Sequence, residues 1–184
     1  AYLGNMIKEA LGNGDKYNVR IIYSDEGEAL ETGGGIFKAL PHLGPEPFLV
    51  VNGDIWTDYD FESIVNRKID LAHLVLVKNP QHHSNGDFTL KQNLVLNLKG
   101  EESNTFSGMG IYHPDLFAQC KAGKFQLANL LYKAMEQQLC TGEIYKGLWF
   151  DIGTPERFTA LDQMLGKRVV IPQTVEKLNS EQFI

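Results

Sequence analysis

The chain has 184 residues, 43% of them hydrophobic, which is enough to bury one core, so one domain is expected. Its net charge of −6 argues against a general electrostatic surface for nucleic acid, since proteins of that class usually carry a basic face. A small anionic substrate is compatible with this charge, because a bound metal ion can supply positive charge.

Cysteine usage and hydropathy bear on the setting of the chain. Cys120 and Cys140 each lack a nearby second cysteine or spaced histidine that would complete a zinc site. Two isolated thiols fit a reducing cytoplasm better than a disulfide framework. No apolar run reaches the ~20 residues that a membrane-spanning helix needs. These features predict a cytoplasmic protein.

The first half of the chain alternates helical and extended patterns. They predict a helix over 3–11, a strand over 19–23, a turn-rich loop over 24–35, a short helix over 36–40, a strand over 48–51, a helix over 60–68 and a strand over 71–77. The strand over 48–51 is apolar throughout, which is typical of a buried parallel strand. This alternation predicts an α/β fold with a mostly parallel sheet covered by helices on both faces.

The second half mixes strands and helices less regularly. It predicts a hairpin over 84–98, a strand over 105–112, a helix over 127–135 and a strand over 148–150. A last helix is expected to begin at Pro155 with Thr154 as its N-cap. The tail after Gly166 has no clear pattern.

Two aspartates follow apolar strands. Asn52-Gly53-Asp54 comes directly after the strand over 48–51, and Asp151 comes directly after the strand over 148–150. Ligands of open α/β sheets bind outside the carboxyl ends of the strands, and Mg²⁺ prefers one or two carboxylates together with phosphates and water. The simpler alternatives are a turn at 52–54 and a helix cap at Asp151.

Two further stretches carry candidate binding residues. Thr32-Gly33-Gly34-Gly35 would let backbone approach a flat base or a phosphate, although it lacks the Lys-Ser/Thr ending of a phosphate-binding loop. His82-His83 is a poor zinc pair, because adjacent side chains on extended backbone point apart. Asp87, after Gly86, is a better candidate for binding a sugar hydroxyl.

Taken in order, these segments resemble the sugar-1-phosphate nucleotidyltransferase family. The resemblance rests on Leu30-Glu31-Thr32-Gly33-Gly34, on 48–54 and on 149–156, and it extends to about residue 168. It implies a Rossmann-like (GT-A-like) nucleotidyltransferase domain over 1–168 and a tail over 169–184. It also implies direct displacement, in which a sugar phosphate oxygen attacks the α-phosphorus of a nucleoside triphosphate and pyrophosphate leaves.

A narrower resemblance concerns 52–61, Asn79-Pro80, His82-His83 and Gly86-Asp87-Phe88. These segments are similar to the uridylyltransferases of peptidoglycan recycling that use N-acetylmuramate 1-phosphate. The implied substrates are UTP and that sugar phosphate, small molecules rather than nucleic acid or membrane.

By position, the resemblance assigns Mg²⁺ to Asp54 and Asp151, which would be the catalytic residues. The sugar phosphate is assigned to a second set of residues: Asn52, Gly86, Asp87 and Gly108. The nucleotide base is assigned to a third: Glu31, Thr32, Gly33 and Gly34.

One departure separates this chain from the family. The family opens with a strand, a Gly-rich loop bearing Arg and a Lys-Pro pair, which bind the triphosphate, and none of these is present here. We therefore expect the first strand of the sheet to be missing from this chain. The chain alone would then be inactive and would tend to associate through an exposed strand edge.

Three alternatives stay open on the sequence. The substrate could be mannose or glucose phosphate, with another base. The chain could be a catalytically inactive fragment that binds nucleotide sugars. It could also be a glycosyltransferase, for which Asp58-Tyr59-Asp60 offers an Asp-x-Asp metal motif.

Overall fold

The computed structural model describes residues 3–98, 100 and 102–166. Five helices lie in this part of the chain: α1 (Gly4–Leu11), α2 (Glu31–Leu43), α3 (Glu62–Val65), α4 (Leu127–Glu136) and α5 (Pro155–Met164). Eight strands accompany them: β1 (Phe48–Val51), β2 (Ile55–Thr57), β3 (Ala72–Val77), β4 (Phe88–Lys91), β5 (Leu94–Leu96), β6 (Ser103–Tyr112), β7 (Cys140–Tyr145) and β8 (Trp149–Asp151). No helix among the described residues is long and apolar enough to cross a bilayer. The predicted tail over 169–184 lies outside them.

The main sheet has six strands in the order β1-β6-β3-β7-β5-β4, and β2 and β8 form a separate two-stranded sheet. The α/β class is confirmed, but the prediction of a mostly parallel sheet is wrong. Among the described strands, β3 and β7 form the one parallel pair. The ten-residue β6 runs antiparallel between β1 and β3. Apolar runs report burial on both faces, as in β3, where all six residues are buried, and not the direction of the neighbouring strand.

Helices cover both faces of the sheet, as predicted. On one face α2 and α4 pack against the sheet, where Leu74 and Leu131 share a buried cluster. On the other face Ile64 of α3 packs with Val75 and Met109. Leu74 and Val75 are neighbours on β3, so their opposite directions follow from the pleat of the strand.

Strand β1 does not have the buried, parallel setting predicted for it. It pairs with β6 in antiparallel register, from Phe48 opposite Tyr112 to Val51 opposite Met109, and β6 is its one strand partner among the described residues. Val51 is 40% exposed. The strand therefore lies at the edge of the described sheet, with its carboxyl end leading into 52–54.

Three local predictions also need correction. Residues 19–23 form no strand; they bond to the segment that follows α1, with Ile21 N donating to Asn13 O at 2.8 Å. The predicted loop over 24–35 and the predicted short helix over 36–40 do not have those bounds. The 13-residue α2 begins at Glu31, inside the predicted loop, and continues through Pro41. The helix over 60–68 shrinks to the single turn of α3. The hairpin, β6, α4 and α5 lie where the patterns predict them.

Candidate functional site

A cleft runs along the carboxyl end of β1 and the middle of β6. Asn52, Asp87, Phe106 and Gly108 line both halves of it, which makes them one continuous space. The acidic end is further lined by Asp54, His82, His83 and Asp151. The α4 end is further lined by Glu31, Thr32, Lys124, Leu127 and Tyr132. The cleft thus brings together residues from the three predicted sets.

The β2–β8 sheet places the two predicted metal ligands side by side. Asp54 precedes β2, Asp151 ends β8, and Ile55 is paired with Asp151 across the sheet. Ile152 N donates to Asp54 O at 2.8 Å, which extends the pairing past the strand ends. The two aspartates are almost a hundred residues apart in the chain, and this small sheet is what makes them neighbours.

Gly153 lies between the two carboxylates. A β-carbon on Gly153 would stand 2.9 Å from Asp54 Oδ2 and 3.2 Å from Asp151 Oδ1. Gly153 N also donates to Asp151 Oδ1 at 3.0 Å, which orients that carboxylate. Two adjacent carboxylates suit Mg²⁺, which completes its coordination with phosphate oxygens and water. No group of three or more His, Cys, Asp or Glu residues within the described ranges could hold a metal by itself.

Two basic side chains contact Asp151. Arg157 Nη2 lies 3.3 Å from Asp151 Oδ1, and His82 Nε2 lies 3.4 Å from Asp151 Oδ2. Sequence reasoning missed Arg157. Its position in the sequence could have indicated the contact. Arg157 lies three residues after the N-cap Thr154, in the first turn of a helix that begins beside Asp151. Some side chains of that turn must point back toward Asp151.

Asp87 is held by two groups within the cleft. Its Oδ1 lies 3.0 Å from His83 Nε2, and its Oδ2 accepts a hydrogen bond from Phe106 N at 2.8 Å. His82 and His83 thus approach different carboxylates, Asp151 and Asp87. The side chain of Asp87 is about one-third exposed (35%), so its orientation is fixed while part of it still faces the cleft.

The two glycines predicted to bind the sugar phosphate have different surroundings. Gly108 lines the cleft, and a β-carbon there would stand 2.8 Å from the Asn52 amide nitrogen. Gly86 is outside the cleft lining and has a φ of +62°. A β-carbon on Gly86 would meet Asn79 Oδ1 at 2.7 Å and the Ser103 backbone at 2.9 Å. Gly86 therefore shapes the turn that delivers Asp87, and its predicted contact with substrate stays a prediction.

The predicted base-binding stretch divides in the same way. Glu31 and Thr32 line the α4 end of the cleft. Gly33 and Gly34 are buried in α2, where added β-carbons would stand 2.6 Å from the Phe125 ring and 2.3 Å from Gly123 O. Packing against residues 123–125 accounts for these two glycines without a ligand. Contact of the stretch with a base stays a prediction.

The two aspartates of the Asp-x-Asp pattern, which offered a metal motif for a glycosyltransferase, accept hydrogen bonds from neighbouring parts of the fold. Asp58 accepts hydrogen bonds from the Tyr145 hydroxyl and from Leu148 N, which ties the loop before β8 to the end of β2. The hydrogen bond from Tyr145 lowers the pKa of Asp58. Asp60 Oδ1 accepts from Glu62 N at 3.1 Å at the start of α3. Neither aspartate lines the cleft, so this motif is better explained by local structure.

A polar network braces the face of the sheet beneath β2 and β8. The Tyr59 hydroxyl donates to Glu143 Oε1 at 2.6 Å, and Arg67 Nη2 lies 2.6 Å from Glu143 Oε2. Burial, together with the hydrogen bond to Glu143, raises the pKa of Tyr59 to about 12. Trp149 Nε1 donates to Ser107 O at 2.9 Å, which joins β8 to β6. The strands that carry Asp54 and Asp151 are thus fixed to the main sheet.

Comparison with known proteins places this architecture. The sequence family described as nucleotidyl transferase matches residues 1–168. The chain is 43% identical over 175 residues to the N-acetylmuramate alpha-1-phosphate uridylyltransferase of Neisseria meningitidis serogroup B, covering 90% of this chain and 76% of that protein. It is 30% identical over 163 residues to the Caulobacter vibrioides protein of the same name, covering 80% and 67%.

A solved structure supports the fold. HddC from Yersinia pseudotuberculosis, complexed with GMP-PN, matches with a TM-score of 0.69 at 20% identity, covering 89% of this chain and 75% of that one. The family match spans most of the chain, and the structural match extends over the same architecture. The chain therefore belongs to the nucleotidyl transferase family and is a nucleotidyltransferase.

Proposed function

We propose that this nucleotidyltransferase transfers a uridylyl group from UTP to N-acetylmuramate 1-phosphate, giving UDP-N-acetylmuramate and pyrophosphate in peptidoglycan recycling. The observation that carries the proposal is the convergence of Asn52, Asp54, Asp87 and Asp151 on one cleft. The 43% identity to the meningococcal uridylyltransferase supports the choice of substrates. The free thiols Cys120 and Cys140 favour a reducing, cytoplasmic setting.

Asp54 and Asp151 are the proposed Mg²⁺ ligands. The fit rests on the two carboxylate oxygens that flank Gly153, a donor set that leaves coordination positions for phosphate oxygens. When bound there, Mg²⁺ neutralises phosphate charge and orients the phosphates.

The chain's own residues would position the two substrates for displacement. The Asn52 amide offers donors for the sugar phosphate, and the oriented carboxylate of Asp87 can accept from a sugar hydroxyl. Glu31 and Thr32, at the α4 end, are placed to contact the uracil. An oxygen of the sugar phosphate then attacks the α-phosphorus of UTP while the bond to pyrophosphate breaks, and no covalent enzyme intermediate is required.

Pyrophosphate release from the purified protein tests the reaction. With Mg²⁺ present, UTP and N-acetylmuramate 1-phosphate should react, whereas N-acetylglucosamine 1-phosphate, which lacks the lactyl carboxylate, should react at least tenfold less well, the effect of about 1.4 kcal/mol of lost recognition. GTP and dTTP serve as the competing nucleotides. Equal use of glucose 1-phosphate would remove the specific proposal while leaving the nucleotidyltransferase class intact.

The variant Asp87→Asn tests the sugar contact. Asn keeps an acceptor for Phe106 N but loses the negative charge beside His83, so the KM for the sugar phosphate should rise more than the KM for UTP. Asp115→Asn is the matched control, because Asp115 lies 3.4 Å from His113 in a similar pair outside the cleft lining. Equal changes in both KM values would place Asp87 away from the sugar.

A further inference from the structure

We propose that Arg157 is a counter-ion that changes partner: its guanidinium balances Asp151 in the substrate-free site and turns to a phosphate oxygen when a divalent cation takes that carboxylate. The proposal rests on the metal role proposed above for Asp54 and Asp151. Arg157 is outside the cleft lining and reaches the site through Asp151, so it brings positive charge to the edge of an acidic end that carries carboxylates and histidines.

The guanidinium lies where a divalent cation would compete with it. Arg157 Nη2 is 3.3 Å from Asp151 Oδ1, the same oxygen that accepts from Gly153 N. A β-carbon on Gly153 would stand 3.4 Å from Arg157 Nη2 and 2.9 Å from Asp54 Oδ2. Both carboxylates and the guanidinium therefore surround one point. A metal ion and the guanidinium are both positively charged and would compete for the Asp151 carboxylate.

The arginine has donor capacity that its present contacts leave unused. Its Nε atom is buried and has no hydrogen-bond acceptor in the part of the chain that the structure describes. A buried N–H without a partner costs free energy, so the site gains stability when an acceptor oxygen arrives. The side chain as a whole is 34% exposed, which leaves it access to the solvent beside the site. A guanidinium holds phosphate through paired N–H donors, which suits such an acceptor.

The backbone keeps this side chain at the site during an exchange. Arg157 N donates to the N-cap oxygen of Thr154 at 3.3 Å, and Pro155 is the first residue of α5. Only the side chain needs to move. Within the described residues, Lys124 is the one lysine or arginine of the cleft lining, and it lies at the α4 end, 3.6 Å from Glu31. Arg157 lies outside that lining, but among the described residues it is the one lysine or arginine that pairs with a proposed metal ligand.

Two binding measurements on the whole protein test the exchange. Manganese(II) alone, titrated by electron paramagnetic resonance, should bind Arg157→Gln roughly two- to fivefold more tightly than the wild type, the effect of removing one exposed competing ion pair. With Mg²⁺ present, inorganic pyrophosphate and N-acetylglucosamine 1-phosphate are titrated separately by calorimetry. At least one of these two ligands should bind Arg157→Gln roughly tenfold more weakly than it binds the wild type. The ligand whose affinity falls identifies the phosphate that Arg157 binds.

Matched variants separate charge exchange from a structural role. Lys8→Gln removes the Lys8–Asp25 ion pair, which lies outside the cleft lining, and should leave all three affinities unchanged. Arg157→Lys keeps the charge and should stay near the wild type for manganese, so the proposal can be judged even if Arg157→Gln fails to fold. Unchanged or weaker manganese binding by Arg157→Gln, unchanged binding of both phosphates, or a lysine variant that matches the glutamine variant would each overturn the exchange.

None of the three probes contains a nucleotide or N-acetylmuramate. The expected opposite shifts of metal and phosphate affinity would therefore survive a failure of the UTP and N-acetylmuramate assignment. Absence of manganese binding to the wild type would instead remove the metal role of Asp54 and Asp151, and the exchange with it.

Discussion

The side-chain amide of Asn52 occupies the space that a β-carbon on Gly108 would need. The distance from that β-carbon position to Asn52 Nδ2 is 2.8 Å, and Gly108 has a φ of +77°. Asn52 N donates to Gly108 O at 2.9 Å, so the two residues are joined through the backbone as well. A glycine at 108 thus lets the Asn52 amide stand at the middle of the cleft.

Gly108→Ala should damage both stability and the cleft. Its left-handed backbone would carry a side chain at a cost of about 1–3 kcal/mol, and the methyl group would displace the Asn52 amide. We expect a lower midpoint of thermal unfolding together with a raised KM for the sugar phosphate. Calorimetry and steady-state kinetics on the same preparation measure the two effects.

Gly53→Ala is the matched comparison for stability. A β-carbon there meets nothing within 4 Å and the backbone is not left-handed, so the unfolding midpoint should stay at the wild-type value. Loss of activity at unchanged stability would mean that a ligand approaches the backbone at Gly53. A Gly108→Ala protein as stable as the wild type would contradict the clash.

Replacing Asp54 or Asp151, whose carboxylates flank Gly153, should abolish most turnover. In Asp54→Asn or Asp151→Asn, we expect a fall in kcat on the order of a thousandfold, or about 4 kcal/mol of transition-state stabilisation. Folding should change little, because in Asp151→Asn the asparagine oxygen can still accept the hydrogen bond from Gly153 N and asparagine is close in size to aspartate at both positions. The pyrophosphate-release assay gives the rates, and thermal unfolding checks the fold.

Asp60→Asn distinguishes this site from the Asp-x-Asp alternative. Asparagine replaces Asp60 well at the start of α3, so turnover should be unaffected. Strong loss of turnover in Asp60→Asn, with near-normal turnover in Asp54→Asn and Asp151→Asn, would move the metal to the other motif.

The sequence predicts the ends of strands better than the sheet between them. Apolar runs locate β1, β3 and β8, and Asp54, just after β1, and Asp151, the last residue of β8, do lie on one cleft. The runs do not reveal that β6 lies antiparallel between β1 and β3, since burial looks alike for either strand direction. They also do not reveal the β2–β8 pairing, because Ile55 and Asp151 meet only in the folded chain.

Gly33, Gly34 and Arg157 show where predictions from local sequence patterns fail. Gly33 and Gly34 disfavour a helix by propensity, yet they lie inside α2 because residues 123–125 pack too closely there for a side chain. Arg157 lies in an unremarkable helical segment, and only the position of α5 beside β8 brings it to Asp151. For the two glycines a contact between distant segments decides the role, whereas for Arg157 the short turn from β8 into α5 does.

The bond between Asp58 and Tyr145 should make stability depend on acid pH. It lowers the pKa of Asp58 in the folded state, so its contribution is present above the unfolded-state pKa of about 3.9 and is lost as the pH falls through the folded-state pKa. The unfolding midpoint of Asp58→Asn should therefore fall less on acidification than that of the wild type. Tyr145→Phe removes the same bond and should behave alike. Parallel acid profiles for all three proteins would exclude this linkage.

Substitution by alanine should lower stability at Gly34 and be tolerated at Gly35, the next residue of α2. A β-carbon on Gly34 would stand 2.3 Å from the Gly123 carbonyl oxygen, which belongs to backbone and must shift, so Gly34→Ala should lower stability by about 1–3 kcal/mol. On Gly35 the close atom is instead Oε1 of Glu26, at 2.5 Å, the end of a side chain that can turn away. Gly35→Ala should therefore be tolerated, helped by the higher helix propensity of alanine. Chemical denaturation of the two variants gives both free energies of unfolding. If Gly34→Ala proved as stable as Gly35→Ala while UTP binding weakened, the glycine run would serve the nucleotide and not the packing of residues 123–125.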